Sequence, residues 1–335
     1  METEPGDAHG PSETDAAEGD VSERTSAAAS TSARETDASR LDAAAIDAER
    51  AGLMRLAYRM LGTVADAEDA VQETYARWYR LPAADRDAIA NPAAWLTRAA
   101  SRVCLDHLGS ARARRERYVG EWLPEPVPGD SVLASTPAPD PLDRVTLDDS
   151  VSTALLVVLE SLSPAERVAF VLHDVFAMPF AEIGEVVGRS PEACRQLASS
   201  ARRHVRERRD GTATREQHDR VVQAFLAAAG TGDLATLTAV LDPDVVLRAD
   251  GGGVVSAGRR PVVGADRVAR YLLGLQEKRA GDGLEFDLRE GPGGLVLVVS
   301  VGGAVDSVIS TRVAGERVTD LWIMRNPAKL GLWHG

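Results

Sequence analysis

The chain has 335 residues, 44% of them hydrophobic and 27% charged, with two cysteines and a formal net charge of −13. That length exceeds one ordinary domain of about 150 residues, and two cysteines cannot build a disulfide framework, which points to a reducing compartment. No run of 18 apolar residues occurs, which excludes a membrane-spanning helix, and the acidic start Met1-Glu2-Thr3-Glu4-Pro5 does not read as a signal peptide.

Residues 1–40 hold ten Asp/Glu against three Arg and almost no large apolar side chain. Such a segment buries too little surface to offset chain entropy, so a disordered acidic tail is expected. The remaining positive charge is clustered. Arg189 to Arg209 contains seven Arg against two Glu, and Arg112 to Arg117 four Arg against one Glu.

Residues 41–117 read as helical. Leu53, Leu56, Ala57, Met60 and Leu61 follow helical spacing, and Gly62 ends that helix. Thr63-Val64-Ala65-Asp66 resembles a capping box. The next helix places Ala67, Ala70, Val71, Thr74 and Trp78 on one face and Asp66, Glu68, Asp69, Gln72 and Glu73 on the other. Asn91-Pro92 opens a third helix with Leu96, Ala99, Ala100, Val103 and Cys104 inward. On it, Trp95, Arg98 and Arg102 form a stripe suited to a separated nucleic-acid strand, where bases stack and phosphates pair with Arg. A core Trp with snorkelling arginines is the alternative.

Residues 118–147 carry six prolines and read as a linker. Within it, Trp122-Leu123-Pro124-Glu125-Pro126 is an apolar cluster expected to dock on a neighbouring domain. Helices return over 148–210. Ser163-Pro164-Ala165-Glu166 is a strong helix start. Phe180 to Val187 is a short helix, Gly188-Arg189-Ser190 a tight turn, and Pro191 opens a long helix burying Cys194, Leu197, Ala198, Ala201 and Val205.

This pair is a helix-turn-helix pattern, whose second helix fits a DNA major groove. Arg195 and Gln196 would meet base edges, and Ser199, Arg202 and Arg203 phosphates. A solvated basic face on a bundle helix is the competing reading.

From Arg215 on, 15 acids balance 14 bases. Two helices, around Val221, Val222 and Phe225 and around Leu234, Leu237, Val240 and Leu241, precede candidate strands at Val245–Ala249, Val254–Ser256, Leu284–Arg289, Leu295–Val301, Ala304–Val313 and Val318–Met324. A helix at Ala265–Lys278 interrupts them. This order reads as an α+β domain with a curved, mostly antiparallel sheet wrapped on helices. The six histidines have no metal-ligand spacing and the cysteines fall on core faces, so no metal, cofactor or catalytic residue is expected.

Leu53–Arg80 with Asn91-Pro92-Ala93-Ala94-Trp95-Leu96-Thr97-Arg98 resembles region 2 of bacterial extracytoplasmic-function sigma factors, and Leu159 through Arg203 resembles their region 4. Trp122-Leu123-Pro124-Glu125-Pro126, Asp250-Gly251-Gly252-Gly253 and Asn326-Pro327-Ala328-Lys329-Leu330 look like three signatures of the sigma group with a fused SnoaL-like domain. The implied architecture is multidomain: two all-α sigma domains and an α+β nuclear-transport-factor-2-like cone, with region 2 at 41–117, linker at 118–147, region 4 at 148–210 and the SnoaL-like domain at 215–335.

The resemblance implies an alternative sigma factor that brings core RNA polymerase to promoters, regulated in cis by its C-terminal domain. It assigns Arg189, Ser190, Glu192, Arg195, Gln196, Ser199, Arg202 and Arg203 to the −35 element. Asn91, Trp95, Arg98, Arg102, Arg112, Arg114 and Arg115 fall to the −10 element, and Asp66, Glu68, Asp69, Gln72 and Glu73 to the polymerase. Regulatory contacts are expected at Trp122, Leu123, Pro124, Glu125, Pro126, Asp250, Gly251, Gly252, Gly253, Asn326, Pro327, Lys329 and Leu330. Gly109 and Val254 depart from the group, which usually has Arg and Lys at those places.

The expected partners are core RNA polymerase and promoter DNA, with no membrane, a cytoplasmic location, a monomeric free chain and an unidentified small molecule in the cone. A ligand-sensing helix-turn-helix regulator and a SnoaL-like enzyme fused to a DNA-binding module are the alternatives. In the latter, Asp250, Asp287 and Asp320 would be acid–base candidates at the cone mouth. The charge distribution suggests weak DNA binding by the free chain and tight binding once polymerase holds it.

Overall fold

The computed structural model describes residues 46, 48–115, 118–134, 152–209 and 213–334. The predicted tail 1–40, linker residues 135–147 and the side chains of Arg112, Arg114 and Arg115 lie outside the described residues. The chain divides into two units between Arg50 and Ala51, and, apart from Arg50 at the head of the first helix, all that follows concerns the second.

Helix α1 (Arg50–Leu61) buries Leu53, Met54, Leu56, Ala57, Met60 and Leu61. In α2 (Val64–Arg80) the Thr63 side chain accepts from the Asp66 amide as an N-cap, and the buried face is the predicted set Ala67, Ala70, Val71, Thr74 and Trp78. A helix of five residues, α3 (Ala83–Asp87), is not among the helices expected from the sequence, and it buries none of its residues. That is why no apolar period announces it. Helix α4 (Pro92–Arg115) follows, its first turn held by the Asn91 side chain accepting from the Ala94 amide. Its inward residues Leu96, Ala99, Ala100, Val103 and Cys104 are all buried. Burial pushes the Cys104 thiol up to about 12, so it stays protonated and inert.

Beyond the linker, α5 (Thr153–Glu160) precedes α6 (Pro164–Phe170), which has a complete capping box between Ser163 and Glu166. Helix α6 continues into a π-helical segment at Val171–Val175. Helices α7 (Phe180–Val187) and α8 (Pro191–Arg209) then form the helix-turn-helix. Gly188 is the left-handed C-cap, with φ 69°. Gly184 serves close approach, because a Cβ there would stand 2.7 Å from the Arg189 carbonyl oxygen. The turn therefore lies directly against α7.

The C-terminal part has α9 (Arg215–Thr231), α10 (Leu234–Ala239), β1 (Leu241–Asp250), β2 (Val262–Val263), α11 (Ala265–Arg279), β3 (Leu284–Gly291), β4 (Gly294–Val301), β5 (Ala304–Ala314) and β6 (Arg317–Met324). The strands form one sheet in the order β2-β1-β6-β5-β4-β3. Only the β1–β6 pair is parallel.

Two sequence expectations fail here. Val254–Ser256 is a turn, with Val254 80% exposed, and β2 lies later, at Val262–Val263. Leu241 belongs to β1 and Val240 caps α10, so the second helix is shorter than its apolar spacing suggests. Apolar residues on either side of a helix-to-strand junction mimic a helical period.

One sheet face, with Leu247, Leu297, Val299, Ile309, Leu321 and Ile323, packs on α9–α11 through Phe225, Leu237, Val268 and Leu272. The other face, with Val296, Val298, Val308, Trp322 and Met324, is covered by Leu123 of the linker, Leu330 and Trp333 of the C-terminal segment, and Ala154 and Val157 of α5. Both faces of the sheet are thus covered, one by its own helices and one jointly by the linker, α5 and the C-terminal segment.

Candidate nucleic-acid interface and linker junction

Helix α8 buries Cys194, Ala198, Ala201 and Val205 and half-buries Leu197. This fixes its opposite face toward solvent, where Glu192, Arg195, Gln196, Ser199 and Arg203 are exposed beside Arg189 and Ser190 of the turn. The Ser190 hydroxyl accepts from the Ala193 amide and so caps the helix. Arg195 stands over Phe180, its guanidinium carbon 5.3 Å from the ring centroid, which steadies a long side chain at the start of α8. Arg202 differs from its neighbours, because its Nε lies 2.5 Å from Asp174 Oδ1. Any phosphate must compete with that carboxylate.

On α4, Trp95 is half-buried and meets the buried Trp78 edge-on, with centroids 5.2 Å apart. Each of the two sequence readings describes part of it: the ring is braced on the core and keeps an accessible part. Arg98 and Arg102 turn toward α7. Arg98 Nη1 lies 3.9 Å from Glu182 Oε2 and 3.8 Å from Glu185 Oε2, and Arg102 Nη2 donates to the Glu185 carbonyl at 3.0 Å. The exposed Asn91 is engaged in capping.

On the acidic face of α2, Glu68, Asp69 and Gln72 are exposed. Asp66 accepts from the Thr63 hydroxyl at 2.7 Å. Glu73 is tied to Arg77 at 2.6 Å and to His107 at 3.4 Å, and the Arg77 hydrogen bond leads the effects that hold its carboxyl below the usual range. Glu68, Asp69 and Gln72 are therefore the most available of the five.

The linker motif meets both parts of the chain. Asp250, at the end of β1, is fully buried and Lys329 is 6% exposed. Lys329 Nζ donates to Asp250 Oδ2 at 2.8 Å and to the Leu123 carbonyl at 2.6 Å, and it sits 4.3 Å from the Trp122 ring centroid. Asp250 also accepts from the Leu123 amide at 3.0 Å, the Tyr118 hydroxyl at 2.6 Å and the Gly252 amide at 2.9 Å. Asn326 Nδ2 donates to the Tyr118 hydroxyl at 3.0 Å. Burial, then Asp250, pushes the Tyr118 phenol above its usual range.

Gly252, with φ 66°, leaves no room for a side chain, since a Cβ would stand 2.5 Å from Asn326 Cγ. Trp333 Nε1 donates to the Pro126 carbonyl at 2.8 Å. The three signature segments named by resemblance thus converge on one buried cluster.

The same motif grips the region 2-like helices. Glu125 Oε2 accepts from the Val64 amide at 2.8 Å, at the N-terminus of α2. The Glu125 amide donates to the Gly62 carbonyl at 2.8 Å, and the Tyr58 hydroxyl donates to the Glu125 carbonyl at 2.6 Å. Burial holds the Glu125 carboxyl above its usual range. Arg167, 3% exposed, bridges α6 to α1 by donating to the Met60 carbonyl at 2.8 Å. It also donates to the Leu159 carbonyl at 2.9 Å and pairs with Glu160 at 2.7 Å, and desolvation lowers its pKa to about 9.

Sequence reasoning missed Tyr58, Tyr118 and Arg167. Tyr58 and Arg167 sit on helices where their neighbours explain the pattern, and their partners lie 67 and 107 residues away. The adjacency of Tyr118 to the linker motif is the one signal that pointed to it.

Inside the cone, a cavity of about 70 Å³ is lined by Phe225, Leu272, Phe286, Leu297, Ile309 and Asp306. Typical ligand pockets measure roughly 300–1,000 Å³. The acid–base candidates are elsewhere: Asp250 is in the buried junction, Asp287 is exposed beside Arg289, and Asp320 pairs with Arg312 and Arg248. The carboxylate that faces the cone is Asp306. It is clamped by Arg279 at 2.5 Å and Arg325 at 3.0 Å and held below the usual carboxylate range, so it stays ionised near neutral pH and is a poor general acid. Among the described residues no cluster of three metal-ligating side chains occurs, and no helix is long and apolar enough to cross a membrane.

Comparison with known proteins places these features. Residues 45–114 match the Sigma-70 region 2 family and residues 152–205 the Sigma-70, region 4 family. The ECF RNA polymerase sigma factor SigJ of Mycobacterium tuberculosis (strain ATCC 25618 / H37Rv) is 42% identical over 291 residues, covering 84% of this chain and 90% of that protein. The probable ECF RNA polymerase sigma factor SigI of the same strain is 46% identical over 228 residues, covering 67% of this chain and 73% of that protein. The crystal structure of Mycobacterium tuberculosis SigJ matches with a TM-score of 0.64 and 39% identity, over 86% of this chain and 98% of that one. With both sigma regions matched and a relative of 42% identity aligned over 90% of its length, the chain belongs to the extracytoplasmic-function RNA polymerase sigma factors, with the fused SnoaL-like arrangement of a C-terminal sheet domain.

Proposed function

We propose that the chain brings core RNA polymerase to promoters through two reading surfaces and that its C-terminal domain controls the hinge between them. The observation that carries this reading is the linker motif held between the two parts, with Glu125 on α2 and Leu123 on Asp250 and Lys329. Helix α8 reads the −35 element with Arg195 and Gln196, while Arg189, Ser190, Ser199 and Arg203 grip the backbone around it. Glu192, exposed at the head of the helix, excludes phosphate from the first turn and accepts from a base edge.

Trp95, Arg98 and Arg102 meet the opened −10 strand, continued by Arg112, Arg114 and Arg115. Glu68, Asp69 and Gln72 make the first contact with polymerase. The free chain is a cytoplasmic monomer, and any small-molecule signal enters by widening the cone.

The test is transcription with purified core polymerase, comparing the full chain with stepwise truncations from Asn326 and from Arg215. A sigma factor regulated in cis gives promoter-specific transcripts whose yield changes with truncation. Failure to bind core polymerase overturns the reading.

Arg195→Ala and Gln196→Ala are each expected to relax sequence preference by about 1–3 kcal/mol at one position of the −35 element, measured by competition between promoter variants. A uniform loss across all variants would make them backbone contacts instead.

A further inference from the structure

We propose that Glu182 and Glu185 of α7 act as an internal substitute for DNA, their carboxylates occupying Arg98 of α4 while the chain is free, with Arg102 held beside it by the Glu185 carbonyl. This rests on the reading of those arginines as strand-binding residues. Three observations support it.

The first is geometric. Both carboxylates lie within 4.0 Å of one Arg98 nitrogen, and Arg102 is held by the Glu185 carbonyl. Positions 182 and 185 are i, i+3 on a helix, so two anions stand side by side about 5–6 Å apart at Cβ and meet Arg98 as a pair.

The second is that this acidic pair has no evident use in the helix-turn-helix itself. The first helix of such a unit crosses the DNA backbone, where carboxylates repel phosphates. Here they are turned to α4 instead. Glu182 and Glu185 side chains are 37% and 61% exposed, so they contribute little to the core.

The third is that the contact is reinforced at its other end. Helix α4 packs on both α6 and α7, and Arg167 of α6 is buried against the Met60 carbonyl of α1. The two sigma domains are therefore held together at more than one point, and the contact at the arginines is a partial one: Arg98 is half-buried there and Arg102 stays exposed. A weak cover is what a competitor needs. Exposed ion pairs are strong enough to bias a free chain and weak enough for a polyanionic strand to displace.

The experiment titrates the full chain, without polymerase, against a fluorescent single-stranded DNA of random sequence. Glu182→Gln/Glu185→Gln is expected to tighten binding about 2- to 10-fold, the range for two exposed ion pairs. In the Arg98→Ala/Arg102→Ala background the same pair of substitutions is expected to change nothing, because the coupling is then absent. Equal affinity of the glutamine variant and the parent overturns the proposal. So does an equal gain in both backgrounds, which would be general loss of negative charge. Thermal melts verify that all variants fold.

Promoter opening with core polymerase separates this proposal from the reading beneath it. If Arg98→Ala/Arg102→Ala abolishes opening while the glutamine variant binds like the parent, only the substitute fails. If Arg98→Ala/Arg102→Ala opens promoters normally, the strand-binding reading fails and the proposal with it.

Discussion

Lys329→Met is expected to destabilise the junction by about 3–5 kcal/mol, the cost of leaving a buried carboxylate without its counter-charge. Asp250 is fully buried, and Lys329 supplies its only cationic contact among the described residues. The three remaining donors, the Tyr118 hydroxyl and the Leu123 and Gly252 amides, are neutral dipoles. Urea unfolding followed by circular dichroism should show an earlier first transition, since a chain of several domains need not unfold in one step.

Adding Asp250→Asn is expected to restore a substantial part of the loss. The amide oxygen still accepts from Leu123, and position 250 no longer carries a buried charge. If the single and double variants unfold alike, the ion pair is not what holds the linker in place.

Trp333→Ala should cost a similar amount for a different reason. The side chain is 1% exposed and packs with Leu123, Trp322 and Leu330 on the outer sheet face. Truncating a buried Trp costs about 3–5 kcal/mol, and here the Pro126 carbonyl also loses its donor. Trp333→Phe separates the two contributions, because it keeps most of the packing and removes only the hydrogen bond. It is expected to lose about 1–2 kcal/mol. Limited proteolysis across residues 118–134 provides the second readout, with the Ala variant cut faster than the Phe variant. Equal resistance of parent and Ala variant would mean that the C-terminal segment does not restrain the linker.

Local signals carried much of the fold. Caps at Thr63, Ser163 and Ser190, the inward faces of α2 and α4, and the glycine turn at Gly188 depend on residues within one or two helical turns. Five of six strands were visible for the same reason, since alternation and turn residues are local. The elements without such a signature escaped: α3 buries nothing, and β2 is two residues long.

The candidate site was legible in parts. Its three signature segments were named, but their meeting at Asp250 was not, because the contacts span 79 to 132 residues of chain. The arginines of α4 were recognised as cations. Their engagement by Glu182 and Glu185 lies between two helices that the sequence treats as separate domains.

The burial of Lys329 has one more consequence. Lys278 and Lys329 are the only lysines of the chain, and Lys278 is exposed. Apart from the α-amino group, an amine-reactive reagent therefore meets one ready target in the docked state and two when the junction opens. The pairing of a buried Lys with an arginine-rich surface makes acylation of Lys329 a built-in reporter of undocking, readable by mass spectrometry during polymerase binding without any engineered label.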